Sequence, residues 1–187
     1  MAKIELLAPF ILSWEGGFVN DKNDRGGATN KGVTLTTWKS CGYDIDADGD
    51  IDIDDLRLIT ADDVITKVLK PHYWDALRAD EIKSQAVANI LVDWAYNSGP
   101  SKAAKAVQKI VGTTIDGCVG PKTIHAINQV PYPSNLFTAI KNARLSFINK
   151  IVENDPSQRK FYKGWLNRIN SIEYYILTCN GGKTVNV

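Results

Sequence analysis

The sequence predicts a mainly α protein, and three observations carry that prediction. Apolar residues recur at helical spacing along most of the 187 residues. Glycine and proline punctuate those stretches where helices stop and start. β-Branched residues stand together at "GVTLTTW", Gly32 to Trp38, which suits a short strand or the entry to a helix.

The elements follow in order. Ile4, Leu7, Ile11 and Trp14 share one helical face, and Gly16-Gly17 stops that helix. Glu5 and Pro9 within it, and the lack of a small-residue cleavage site after it, favour an amphipathic first helix over a signal peptide. Thr60 is an N-cap for "ADDVITKVLK", with acids in the first turn and lysine in the last, and Pro71 is expected to end it. Ser84 to Asn97, "SQAVANILVDWAYN", is apolar on most sides and reads as a central buried helix. Helices are expected over Lys102 to Val111, from Pro121, over Asn135 to Glu153 and over Ser157 to Leu177, with "NGGKTVNV" as a frayed tail. The best internal boundary falls near 96–101, which divides the chain into lobes of 1–96 and 97–180, with extensive contacts between them.

Composition bounds the function. With 44% apolar and 23% charged residues the chain is an ordinary globular protein, and no stretch reaches the ~18–20 apolar residues of a membrane span. Cys41, Cys118 and Cys179 have no metal-type spacing and suit unpaired thiols. Two histidines far apart in sequence, His72 and His125, mark no nucleophilic triad. The net charge of +1 conceals an asymmetry: residues 44 to 63 hold nine Asp against one Arg, and the remainder carries 21 basic and 12 acidic side chains, or +9. A basic body favours a polyanionic partner such as cell wall, nucleic acid or an anionic membrane surface.

"DIDADGDIDIDD", residues 44–55, has the most specific spacing. With Asp44 at position 1, Asp46, Asp48 and Asp50 take positions 3, 5 and 7, Gly49 takes position 6, Ile51 position 8 and Asp55 position 12. That is the layout of an EF-hand-type calcium loop, with Asp in place of the usual Glu at its end, as in dockerin-type loops. So many like charges at alternate positions repel one another without a counter-ion, so a structural Ca2+ held by Asp44, Asp46, Asp48, Asp50 and Asp55 is expected.

"SWEGGFVNDKNDRGGATNKGVT", residues 13 to 34, sets two acids in a glycine-rich frame. Hydrolysis of a glycosidic bond needs one carboxylic acid to protonate the leaving oxygen and a second carboxylate to activate water or stabilise the transition state. Glu15 beside Trp14 and Asp24 in a polar loop form such a pair, although spacing alone leaves capping and loop roles open.

The stretch from Glu15 to Thr34 resembles the opening motif of the glycoside hydrolase family 108 N-acetylmuramidases, also described as secretion-activating proteins. "PHYWDALRADEIKSQAVANILVDWAYNSG" and "DG-VG-KT" are similar to that family too, so the resemblance runs nearly the full length. It implies a lysozyme-like helical fold with a small loop or β element beside the cleft. Glu15 and Asp24 also resemble the Glu-x8-Asp pair of bacteriophage lysozymes. By that likeness Glu15 is the general acid, and Asp24 places water with Thr29 as helper and Thr34 as fallback. "AYNSGP" resembles the cleft element of lysozyme-like and lytic transglycosylase folds, which makes Tyr96 and Asn97 substrate-binding candidates with Trp14 and Trp74. "VQKIVGTTIDGCVGPKT" resembles small peptidoglycan-binding helical modules, and is fold evidence more than a separate site.

The expected activity is that of a muramidase cleaving the β-1,4 bond between N-acetylmuramic acid and N-acetylglucosamine. The rivals are a lytic transglycosylase, a non-catalytic wall-binding or secretion-associated protein, and a calcium-sensing module. The expected partner is peptidoglycan, with no nucleic acid, no stable membrane insertion and a monomeric state. Catalysis needs no cofactor. The absence of a signal peptide implies synthesis in the cytoplasm and access to the wall through export, holin-type release or lysis.

Overall fold

The computed structural model describes residues 1–20 and 27–187. Helix α1 (Ile4–Trp14) buries Ile4, Leu7, Ala8, Phe10 and Ile11 and ends at Glu15, whose backbone turns extended. A two-stranded antiparallel ribbon follows, β1 (Thr29–Asn30) and β2 (Val33–Thr34). Its turn residues Lys31 and Gly32 have φ of 48° and 77°, the left-handed pair that a tight hairpin needs. Both readings of "GVTLTTW" hold: Val33–Thr34 is strand, and Thr34 then caps α2 (Leu35–Cys41) by accepting from Thr37 N–H at 3.1 Å.

The aspartate loop leads into α3 (Ile53–Leu58), and Thr60 caps α4 (Ala61–Asp63) through a capping box with Asp63. Lys67 and Thr60 bond to the Asp63 carboxyl and lower its pKa to about 2. The helix does not stop at Pro71. It runs on as a π-helix, Val64–Trp74, closing with Asp75 N–H on the Lys70 carbonyl at 2.9 Å. The wider π turn accommodates the proline ring that an α turn would meet with a carbonyl clash.

Helix α5 (Gln85–Ser98), capped by Ser84, is buried from Ala86 to Ala95 and packs against α6 (Pro100–Val111) and α8 (Pro133–Asn154). Gly112 ends α6 with φ 72°, and Pro121 opens α7 (Pro121–Gln129). The last long helix is shorter than its periodicity suggests. α9 (Arg159–Asn170) gives way to β3 (Ile176–Thr178), which pairs with β4 (Thr184–Asn186). The tail is therefore a hairpin rather than frayed: Leu177 is buried, Val185 packs on the core, and Asn180 N–H bonds Ser13 Oγ at 3.0 Å.

Two apolar cores result. The larger runs from α1 through α5, α6 and α8 to Leu177. The smaller gathers Ala28, Val33, Trp38, Leu56, Ile59, Val64 and Val68 beneath the ribbon and the aspartate loop, and Tyr73 packs against both. No helix among the described residues is long and apolar enough to cross a membrane.

Candidate active site

Glu15 stands at the seam between α1 and the β1–β2 ribbon. Lys31 N–H bonds the Gly16 carbonyl at 3.1 Å, and Val19 and Thr29 exchange backbone bonds at 2.8 Å, so the chain folds back over the end of α1. The turn brings Gly32 against the acid: a Cβ added there would lie 2.2 Å from Glu15 Oε2 and 2.6 Å from its Cδ. Glycine is required here both for the left-handed φ and for this close approach.

Arg168 Nη1, from α9, donates to Glu15 Oε1 at 2.7 Å. Its Nε and Nη2 donate to Asp93 Oδ1 at 3.0 and 2.8 Å. Arg144 Nη2 lies 2.7 Å from Asp93 Oδ2 and donates to Asn97 Oδ1 at 2.6 Å. A chain of charge thus joins α1, α9, α5 and α8, with side-chain exposures of 14% for Glu15, 10% for Arg168, 3% for Arg144 and 0% for Asp93. Two cations and two carboxylates balance, which is what allows charges this buried to persist. Burial disfavours the charged form of Asp93, but Arg168 and Arg144 outweigh it and hold its pKa below the ordinary value. Burial likewise opposes the charge on Arg168, and Asp93 and Glu15 reverse that effect and raise its pKa.

Trp14 turns inward toward Phe10, with ring centroids 6.1 Å apart, and the carboxyl itself meets a guanidinium. Tyr96 lies close by: its hydroxyl approaches the Lys31 carbonyl at 3.5 Å, and its ring packs on Tyr73 at 5.0 Å. Burial first, then the charge of Glu15, push the Tyr96 phenol up, so it remains a neutral hydrogen-bonding group. Asn97 is exposed at the far end of the charge chain.

Trp74 requires correction. It is fully buried, and its indole N–H bonds Asp80 at 2.7 Å, so it is a core residue and not a cleft contact. Asp24 lies outside the described residues. Thr29 and Thr34, the two helper candidates, face each other as a cross-strand pair. The Thr34 hydroxyl is engaged in capping α2, whereas among the described residues the Thr29 hydroxyl makes only a 3.4 Å contact with the Gly27 carbonyl. Arg168, Asp93 and Arg144 escaped sequence reasoning. The available signal was Asp93 itself, an acid inside an otherwise apolar helix, which must find a cation when buried.

The aspartate loop is tied to this site. Asn30, 3% exposed, donates to the Leu56 carbonyl at 2.8 Å and so fastens the ribbon to α3. Asp44 accepts from Ala47 and Gly49 N–H at 2.6 and 2.9 Å, and Gly49 adopts φ 100°. The carboxylates of Asp44, Asp46 and Asp48 gather within 4.8 Å, and those of Asp50, Asp52 and Asp55 form a second such group. Asp55, 1% exposed, accepts from the N–H groups of Asp52, Ile45 and Asp46, which lower its pKa. The charge of Asp48 pushes the Asp50 carboxyl up.

Comparison with known proteins decides the family. The Glycosyl hydrolase 108 profile matches residues 8–99, from α1 through α5, and the Predicted Peptidoglycan domain profile matches residues 102–170. The chain belongs to the glycosyl hydrolase 108 family. It is a peptidoglycan-related glycoside hydrolase with a lysozyme-like helical fold. A solved structure, that of Brucella abortus SagA, is similar at 29% identity and a TM-score of 0.71, over 88% of this chain and 87% of that one. No curated protein matches the chain. Within the second matched segment, the resemblance at 107–123 has a structural basis. Buried Gln108 donates to Asp116 Oδ1 at 2.7 Å and accepts from Gly117 N–H at 2.9 Å, pinning the turn ahead of α7.

Proposed function

We propose that this glycosyl hydrolase 108 protein is an N-acetylmuramidase that cleaves the β-1,4 bond between N-acetylmuramic acid and N-acetylglucosamine. The observation that carries the reading is the position of Glu15. It is a carboxyl at a loop-framed helix end, fixed by Arg168 on one oxygen and approached by Gly32 on the other. Glu15 protonates the leaving oxygen as general acid. Asp24 activates or orients water on the opposite face of the sugar, with Thr29 as its hydrogen-bonding helper. Water entering in this way inverts the anomeric carbon, as in the inverting glycosidases, whose paired carboxyls are in general roughly 6.5–9.5 Å apart. Trp14 and Tyr96 beside the acid, and Asn97 at the other end of the charge chain, contribute to sugar binding.

The aspartate loop takes a structural Ca2+. The fit rests on a donor set made only of hard carboxylate oxygens, with Gly49 in the left-handed turn such a loop requires. Asp44, Asp46, Asp48, Asp50 and Asp55 would hold the ion, which screens their mutual repulsion and takes no part in bond cleavage. The protein acts on the cell wall, reached by export, holin-type release or lysis, and works as a monomer.

Digestion of purified peptidoglycan by the wild type and by Glu15→Gln, with products resolved by mass spectrometry, tests the reading. New reducing-end muramic acid that disappears with the variant is the expected result. Anhydro-muramic products would identify a lytic transglycosylase. No cleavage across several wall types would leave a binding protein.

A further inference from the structure

We propose that the trough between α6 and α8 is a docking site for the peptide stems of peptidoglycan, recognised through their carboxylates. The trough has a volume of about 580 Å3, its floor is apolar, with Ile110 and Phe147 among its residues, and Lys102, Lys105, Lys109 and Lys150 rim it. Lys102, Lys105 and Lys109 fall on one face of α6 by their spacing. No acid lines the trough, and among the described residues none of the four lysines forms an ion pair.

Lys109 in the last turn of α6 suits the helix dipole, but Lys102 and Lys105 gain nothing from the helix that carries them. Helix α6, "PSKAAKAVQKIV", contains no acid, and Lys102 in its first turn opposes the helix dipole. A concave apolar floor beneath a ring of ammonium groups complements a short chain that carries both methyl groups and free carboxylates, which describes a wall peptide. Of the side chains in the trough, none is among the exposed large hydrophobics, so the face offers nothing to wedge into a bilayer. It also lacks arginine and the exposed aromatic faces on which nucleic-acid bases stack. The location agrees: most of α6 and all of α8 lie in the segment matched by the Predicted Peptidoglycan domain. The trough shares Trp94 and Phe147, whose rings are 5.9 Å apart, with a smaller cavity lined by Asn97 and Arg144. Those two residues end the charge chain that begins at Glu15.

The inference rests on peptidoglycan being the substrate, and the test separates the two. Full-length Glu15→Gln protein, with and without glutamine at all four lysine positions, is co-sedimented with teichoic-acid-free peptidoglycan and with the same glycan stripped of stems by an amidase and immobilised on beads. We expect the lysine changes to weaken binding to intact peptidoglycan roughly ten- to hundredfold, as four exposed charge contacts would. Binding to the stripped glycan should not change, and arginine at the four positions should restore binding to intact peptidoglycan. Unchanged binding to intact peptidoglycan would overturn the proposal, as would an equal loss on both glycans. Hydrolysis of stripped glycan by the wild type, measured separately, reports on the muramidase reading alone. If that hydrolysis fails while stem-dependent binding persists, the docking site stands without it.

Discussion

Arg168 holds Glu15 and Asp93 at the same time, with one guanidinium nitrogen on the acid at 2.7 Å and two on the buried carboxylate at 3.0 and 2.8 Å. The orientation of Glu15 is thereby set by a residue it never touches. Asp93 fixes the guanidinium plane, and the plane fixes where the remaining nitrogen points.

Asp93→Asn should be among the most damaging single changes in the chain. Among the described residues it leaves buried Arg144 with no carboxylate partner and Arg168 with Glu15 alone, a loss of about 3–5 kcal/mol by analogy with broken buried pairs. The pH dependence has a definite sign. The folded pKa of Asp93 is depressed, so its contribution is complete above the ordinary carboxylate value of about 4 and disappears as pH falls through the folded value. Denaturant unfolding across pH 2 to 7 should show the wild type losing this stability on acidification and Asp93→Asn losing less.

Gly32→Ala should reduce hydrolysis far more than it reduces stability. The methyl group would collide with the Glu15 carboxyl, which Arg168 prevents from swinging freely, and a left-handed alanine adds about 1–2 kcal/mol of strain. Turnover on peptidoglycan should fall at least tenfold while thermal unfolding stays cooperative. A fully active Gly32→Ala enzyme would show that this approach does not position the acid.

Chelation should lower the melting temperature, and Ca2+ should restore it. Binding at a hundred times the dissociation constant stabilises by about 2.7 kcal/mol. Because Asn30 fastens the ribbon to α3, Asn30→Ala should uncouple the two effects: Ca2+ would still raise the melting temperature but would no longer protect activity. Differential scanning calorimetry in EDTA and in Ca2+, run beside a turnover assay, checks both.

Trp74→Ala should cost about 3–5 kcal/mol through the cavity it leaves, with Asp80 losing a donor. Trp74→Phe should recover most of that stability, and at temperatures where both variants are folded turnover should stay near wild type, which loss of a sugar contact in Trp74→Ala would not allow. Melting temperature and turnover, compared across the two variants, distinguish core from contact.

What the sequence by itself determined is local. Thr34, Thr60 and Ser84 cap the helices they precede, Gly112 and Pro121 stop and start theirs, and the aspartate ladder folds on its own hydrogen bonds within twelve residues. These signals act across three or four positions, so they can be read without a fold. The tertiary structure decided the rest. It carried the helix through Pro71 on π turns, paired the tail with Ile176–Thr178, and buried Trp74. Above all it chose the partner of Glu15. Arg168 is 153 residues away, and nothing in the spacing of either residue names the other. That pairing exists because α5 carries one carboxylate into an apolar core, where an uncompensated charge costs more than bringing two distant helices together around it.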